Sequence, residues 1–158
     1  MRILIRSRDR IQKMSQTPFQ ETALISICDV GDTAVDLLNS PQFFLNVEFN
    51  DVDNDVMLDE LGRSATTDEK MDIEKKYGLI TDDQAPQIAH FYFSVCDKIG
   101  TIICQCEHGQ SRSAAVAAAI MEFRSRRGVN VFADDKYYPN KVVYRKVLQA
   151  LKGANSEH

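Results

Sequence analysis

The chain has 158 residues, a formal net charge of −4, 44% hydrophobic residues and 27% charged residues. That length suits one domain over residues 1–158 with a single core, and the composition is that of a soluble globular protein. An acidic balance argues against non-specific nucleic-acid binding, which relies on Lys and Arg to neutralise phosphates, so an anion site must be local. The opening Met1–Arg6 is too short and too charged for a signal peptide, and no apolar run approaches the roughly 20 residues of a membrane span. Cys28, Cys96, Cys104 and Cys106 form no CxxC pair and no zinc-ligand spacing. The expectation is a cytoplasmic protein with reduced thiols, no metal and no membrane or nucleic-acid partner.

The elements follow in chain order. Arg2–Ile5 is a short apolar run that suits an edge strand, and Ser7 can cap a helix over Arg8–Met14. Ala23–Cys28 is a compact apolar run closed by Asp29-Val30-Gly31, a buried strand and a turn. Phe43–Phe49 is rich in strand formers and is stopped by the polar stretch Asn50–Asp55. From Asp51 to Thr67 no period is visible, which predicts a long surface loop. Thr67–Lys76 reads as an exposed, capped helix. Thr81 and Gln84 fit a capping box for a helix to about Asp97, with Ile88, Phe91, Tyr92 and Val95 on one face. Gly100 breaks it, and Thr101–Cys106 is a central strand. After a short loop, Ser113–Arg127 is an Ala-rich helix of the buried kind. Asn140 then caps a last helix over Lys141–Lys152. Strands alternating with helices predict a three-layer α/β/α fold with a central, mainly parallel sheet.

Chemistry concentrates between the central strand and the Ala-rich helix, in Cys106-Glu107-His108-Gly109-Gln110-Ser111-Arg112-Ser113. A loop feeding a helix N-terminus points several backbone N–H groups at one place, and the helix dipole adds to their preference for an oxyanion. Arg112, near the helix start, can grip two phosphate oxygens at once, which a Lys cannot do. Gly109 lets the backbone turn inward without a side chain in the way. The same positive field favours the thiolate of Cys106, an activated nucleophile provided that it faces the loop and is not packed away.

This segment resembles the C-x5-R-(S/T) signature of the protein tyrosine phosphatase superfamily, and most of all its small dual-specificity-like branch. The similarity extends from about Ala23 to Leu151, and Leu45–Asp51 looks like the strand and loop that deliver that family's general acid. The resemblance implies that Cys106 attacks a phosphomonoester and becomes phosphocysteine, with no cofactor. Asp51 protonates the leaving oxygen and then activates water, with Asp53 as the alternative acid. Ser113 assists departure of the sulfur. The backbone of Glu107, His108, Gly109, Gln110, Ser111 and Arg112 holds the phosphoryl oxygens. The implied partners are a phosphorylated substrate, protein being the leading class, and inorganic phosphate, sulfate or vanadate in the loop. Relatives of this fold handle phosphotyrosine, phosphoserine, phosphoinositides and RNA 5'-phosphates.

Two departures from the family pattern stand out. The residue before the nucleophile is Gln105 where the family usually has His, and Gln cannot carry positive charge. The chain has no Trp, so the Trp-Pro-Asp loop of the large tyrosine phosphatases is absent. Some family members protect the nucleophile by a reversible disulfide, which nominates Cys28, with Cys104 as the same-strand neighbour. The competing readings are a rhodanese-like sulfurtransferase and a phosphate-binding module without turnover.

Overall fold

The computed structural model describes residues 1–52 and 66–155. Asp53, Asp55 and the expected loop around them lie outside that set. Four strands, β1 (Arg2–Ser7), β2 (Thr22–Cys28), β3 (Phe43–Glu48) and β4 (Thr101–Cys106), form a sheet in the order β1-β4-β2-β3, with every pairing parallel. β2 and β4 are buried along their whole length, and β1 and β3 are the partly exposed edges. That is why Ala23–Cys28 and Thr101–Cys106 read as unbroken apolar runs: interior strands of a parallel sheet are covered on both faces.

Helix α1 (Arg8–Met14) covers one face, where Ile11 packs with Leu24, Ile103 and Val35. As the sequence predicts, Ser7 caps it, its hydroxyl accepting from the Arg10 amide at 3.2 Å. The opposite face carries α3 (Gln84–Val95), α4 (Arg112–Ser125) and α6 (Lys141–Asn155). There Ile25, Ile27, Ile102 and Cys104 meet Ile88, Val116, Ile120 and Val147. The two covering layers and the sheet make a three-layer α/β fold.

Local signals account for the ends of these elements. Thr81 and Gln84 exchange backbone N–H to side-chain oxygen bonds at 3.0 and 3.2 Å, the reciprocal box expected at the start of α3. A second box, Thr66 with Glu69, opens α2 (Thr67–Tyr77). Asn140 Oδ1 accepts from the Val142 and Val143 amides at 3.0 and 3.1 Å, capping α6. α4 differs from expectation at both ends. It starts one residue earlier, at Arg112, and it stops at Ser125 because Arg126 adopts φ +56°, a left-handed C-cap. A further helix, α5 (Val129–Ala133), has no counterpart in the sequence reading. Five residues are too few to display a period; Val131 packs against Ala114 and Ala118, and the Phe132 ring meets Tyr144 edge-on at 5.0 Å. Among the described residues, no helix is long and apolar enough to cross a membrane.

Candidate active site

The strand order puts β4 between β1 and β2, and the Cys106–Ser113 segment leaves the carboxyl end of β4 to enter α4. Crevices beyond the carboxyl ends of parallel strands are where open α/β sheets bind ligands. Three other segments support the loop. Gly109 has φ +68°, and a Cβ there would stand 2.6 Å from the Ser7 nitrogen and 2.7 Å from the Arg6 carbonyl carbon. The Arg8 amide donates to the Glu107 carbonyl at 3.1 Å, and the Tyr138 amide donates to the Gln110 carbonyl at 2.8 Å. Both features of Gly109 demand glycine: positive φ, and close approach of two backbones. Gly109→Ala is therefore expected to weaken phosphate and vanadate binding by at least about tenfold, because strain on the order of 1–3 kcal/mol must be relieved by moving the loop. Titration of the variant with vanadate, with circular dichroism to verify folding, measures this. Unchanged affinity in a folded variant would contradict the assignment.

The loop has donors in excess. Among the described residues, the backbone N–H groups of His108, Gly109, Gln110, Ser111 and Arg112 have no protein acceptor. Ser111 occupies the N-cap position of α4 without capping it. Its hydroxyl instead donates to Asp51 Oδ1 at 2.8 Å. The first turn of α4 therefore keeps its open amides and the positive end of its dipole. Arg112 is only 5% exposed. Its Nη1 donates to Asp29 Oδ1 at 2.6 Å and to the Phe49 carbonyl at 2.7 Å, while its buried Nε has no partner. A buried guanidinium anchored through one nitrogen, with another N–H orphaned, lacks an acceptor that a bound oxyanion would supply.

Cys106 is 3% exposed, and its Sγ lies 3.0 Å from Ser113 Oγ. The thiol thus sits at the junction of strand, loop and helix with one hydroxyl partner. Cys106 also belongs to the buried cluster between the sheet and α4, with Ile27 and Val116 among its members.

Asp51 reaches the same place from the end of β3. Besides Ser111 Oγ, its Oδ1 accepts from Asn140 Nδ2 at 2.9 Å, and that amide also donates to the Val52 carbonyl at 3.0 Å. Asn140 thus does two jobs: its oxygen caps α6 and its nitrogen ties Asp51 to the loop. The sequence reading identified the cap and missed the tie, since no local pattern links residues this far apart. It also missed Asp29, the ion-pair partner of Arg112.

The remaining sequence-named residues are placed as follows. Glu107, His108 and Gln110 are exposed, Gly109 is buried and Ser111 is intermediate. Gln105 is fully buried and pairs in register with Ser26, whose hydroxyl donates to its Oε1 at 2.6 Å. Side chains alternate along a strand, so Gln105 points to the sheet face opposite Cys106. Cys28 belongs with Ser26 to that opposite face, where its Sγ lies 3.7 Å from the Asn46 side chain. The register thus gives Cys28 and Cys106 opposite strand parity, and all four cysteines are free thiols. Burial pushes the Cys28 thiol up, and it pushes the completely buried Cys104 thiol up much further, with Cys106 adding to the effect. Neither is a reactive thiol at neutral pH.

No family model and no curated protein matches the sequence. Among solved structures, the chain resembles the crystal structure of PTPMT1 with a TM-score of 0.45 and 10% identity, over 99% of this chain and 93% of that one.

Proposed function

We propose that the protein is a phosphomonoester hydrolase that works through a phosphocysteine intermediate, most akin to tyrosine and dual-specificity phosphatases. The observation that carries this reading is the buried, unpartnered Arg112 Nε beside five consecutive unpaired amides, all on the segment that starts with Cys106. Such a cradle fits a tetrahedral oxyanion, and its field favours a thiolate at Cys106. In the first step the Cys106 sulfur attacks phosphorus, the bond from phosphorus to the leaving oxygen breaks, and the Asp51 carboxyl supplies that oxygen with a proton. In the second step water attacks phosphorus, Asp51 takes the water proton, and the P–S bond breaks. The Ser113 hydroxyl, 3.0 Å from the sulfur, then donates to the departing thiolate. The loop amides and Arg112 hold the equatorial oxygens throughout, where charge accumulates. Tyr138, 70% exposed and joined to the loop through its amide, offers a ring at the rim for an aromatic leaving group.

The test is turnover of para-nitrophenyl phosphate and of a phosphoserine peptide by wild type and Asp51→Asn. General acid catalysis is worth roughly 10²–10⁴-fold, and it matters most for a leaving group that is a poor one. The variant is expected to lose about 10²-fold on the alkyl phosphate and much less on the aryl phosphate. Equal losses on both would remove Asp51 from the acid role. Absence of hydrolysis by wild type, with thiosulfate-to-cyanide sulfur transfer in its place, would replace the whole reading by a sulfurtransferase.

A further inference from the structure

The loop's charge surroundings bear on what carries the phosphate, a question that rests on the phosphatase reading and sharpens it. Four carboxylates connect directly to the site. Asp29 is bonded to Arg112, Asp51 to Ser111, Glu107 is part of the loop, and Asp32 faces the same arginine as Glu107. Against them, among the described residues, stand two guanidiniums. Arg112 is buried and already paired with Asp29. Arg8 lies 3.7 Å from Glu107 and 3.9 Å from Asp32, and its Nη2 donates to the Thr33 and Ala34 carbonyls at 3.0 and 3.3 Å. Four carboxylates against two guanidiniums leave a formal charge of −2, and the rim stays negative when Asp51 carries the acid proton.

The site therefore combines two opposed fields. At short range, unpaired amides and the Arg112 Nε attract one tetrahedral anion. Just outside, Asp29, Asp32 and Glu107 have side chains 61%, 51% and 50% exposed and present negative charge to whatever surrounds that anion. A second phosphate on an inositol ring, the next phosphodiester of an RNA or acidic residues beside a phosphorylated side chain would each meet, among the described residues of this rim, carboxylates and no unpaired guanidinium. Like-charge juxtaposition of this kind excludes partners more sharply than attraction selects them. We infer that the substrate is a protein segment in which one phosphorylated residue is flanked by Lys or Arg, and that the rim carboxylates reject polyanionic carriers.

The experiment uses the full chain and phosphotyrosyl peptides that differ only in their flanking residues, with para-nitrophenyl phosphate as the reference. At low ionic strength the Lys/Arg-flanked peptide is expected to exceed the Glu/Asp-flanked one by about tenfold or more in kcat/KM, the difference residing mainly in KM. That ratio should shrink toward unity near 1 M salt, where the screening length falls to about 3 Å. Asp32→Lys, which changes a rim carboxylate outside the catalytic machinery, should reduce the ratio several-fold and leave para-nitrophenyl phosphate turnover unchanged. Equal rates for the two peptides, or preference for a phosphoinositide vesicle or an RNA 5'-phosphate, would overturn the inference while the phosphatase reading stands. Failure to hydrolyse the reference ester would overturn the phosphatase reading itself.

Discussion

Cys106→Ser is expected to abolish turnover of para-nitrophenyl phosphate, lowering kcat by at least about 10³-fold, while vanadate or inorganic phosphate still binds. The separation follows from which atoms do what. The unpaired amides belong to residues 108–112 and the guanidinium to Arg112, so none of the anion-binding donors is lost with the sulfur. A serine hydroxyl has nearly the thiol's shape and can keep the contact with Ser113 Oγ, but it is a far weaker acid than a thiol and a poor nucleophile without a base beside it. Initial rates and a calorimetric phosphate titration on the same preparation check both halves. A variant that retains a tenth of the wild-type rate would sink the covalent mechanism. The small exposure of Cys106 adds a sharper form of the test. Iodoacetate, an anion drawn into the loop, should alkylate Cys106 ahead of Cys104 and Cys28, whose thiols burial keeps protonated, and phosphate should protect.

Arg112→Lys should cost roughly 10²–10³-fold in kcat/KM, on the scale of removing one preorganised oxyanion donor. The guanidinium is divided between two tasks. Nη1 is held by Asp29 Oδ1 and the Phe49 carbonyl, which fixes the plane of the group. Nε remains for the ligand. A lysine ammonium satisfies Asp29 as a point charge and has no rigid second arm to offer an oxygen. Net charge at the site is preserved, so loss of activity would report geometry and not field strength. Full activity with lysine, measured as kcat/KM on the aryl phosphate, would show that charge alone suffices and would count against bidentate capture. The control is thermal stability, because a lysine unable to reach Asp29 leaves that carboxylate 61% exposed and hydrated, at little cost.

Features carried by short stretches of chain were legible before any coordinates. The Ser7 cap, the Thr81–Gln84 box, the Asn140 cap and the two buried strands each announce themselves within a few residues. So does the Cys106–Ser113 segment, whose strand, glycine and arginine stand in the order an anion loop requires. The contacts that connect these pieces are of another kind. Asp29 reaches Arg112 across 83 positions and Asn140 reaches Asp51 across 89, and both depend on the order of strands in the sheet. The setting of Cys28 is of the same kind: strand parity is local, but which face meets the loop is decided by register with β4. Gln105, which stands where the family usually has His, points away from the sulfur, toward Ser26. Its influence on the thiol therefore runs through strand geometry and not through a charge in contact.

The lean of Gly109 on the Arg6–Ser7 backbone ties the shape of the loop to completion of the sheet. β1 pairs with β4, and Arg2 lies opposite Thr101, so the strand behind the loop must find a partner almost a hundred residues further along the chain. Long-range parallel pairings are slow to form. Until they do, the glycine has no wall to press against and the loop amides are not held in place. A partly unfolded chain thus has the residues of the loop without its shape, and phosphate or vanadate should bind only after β1 has docked.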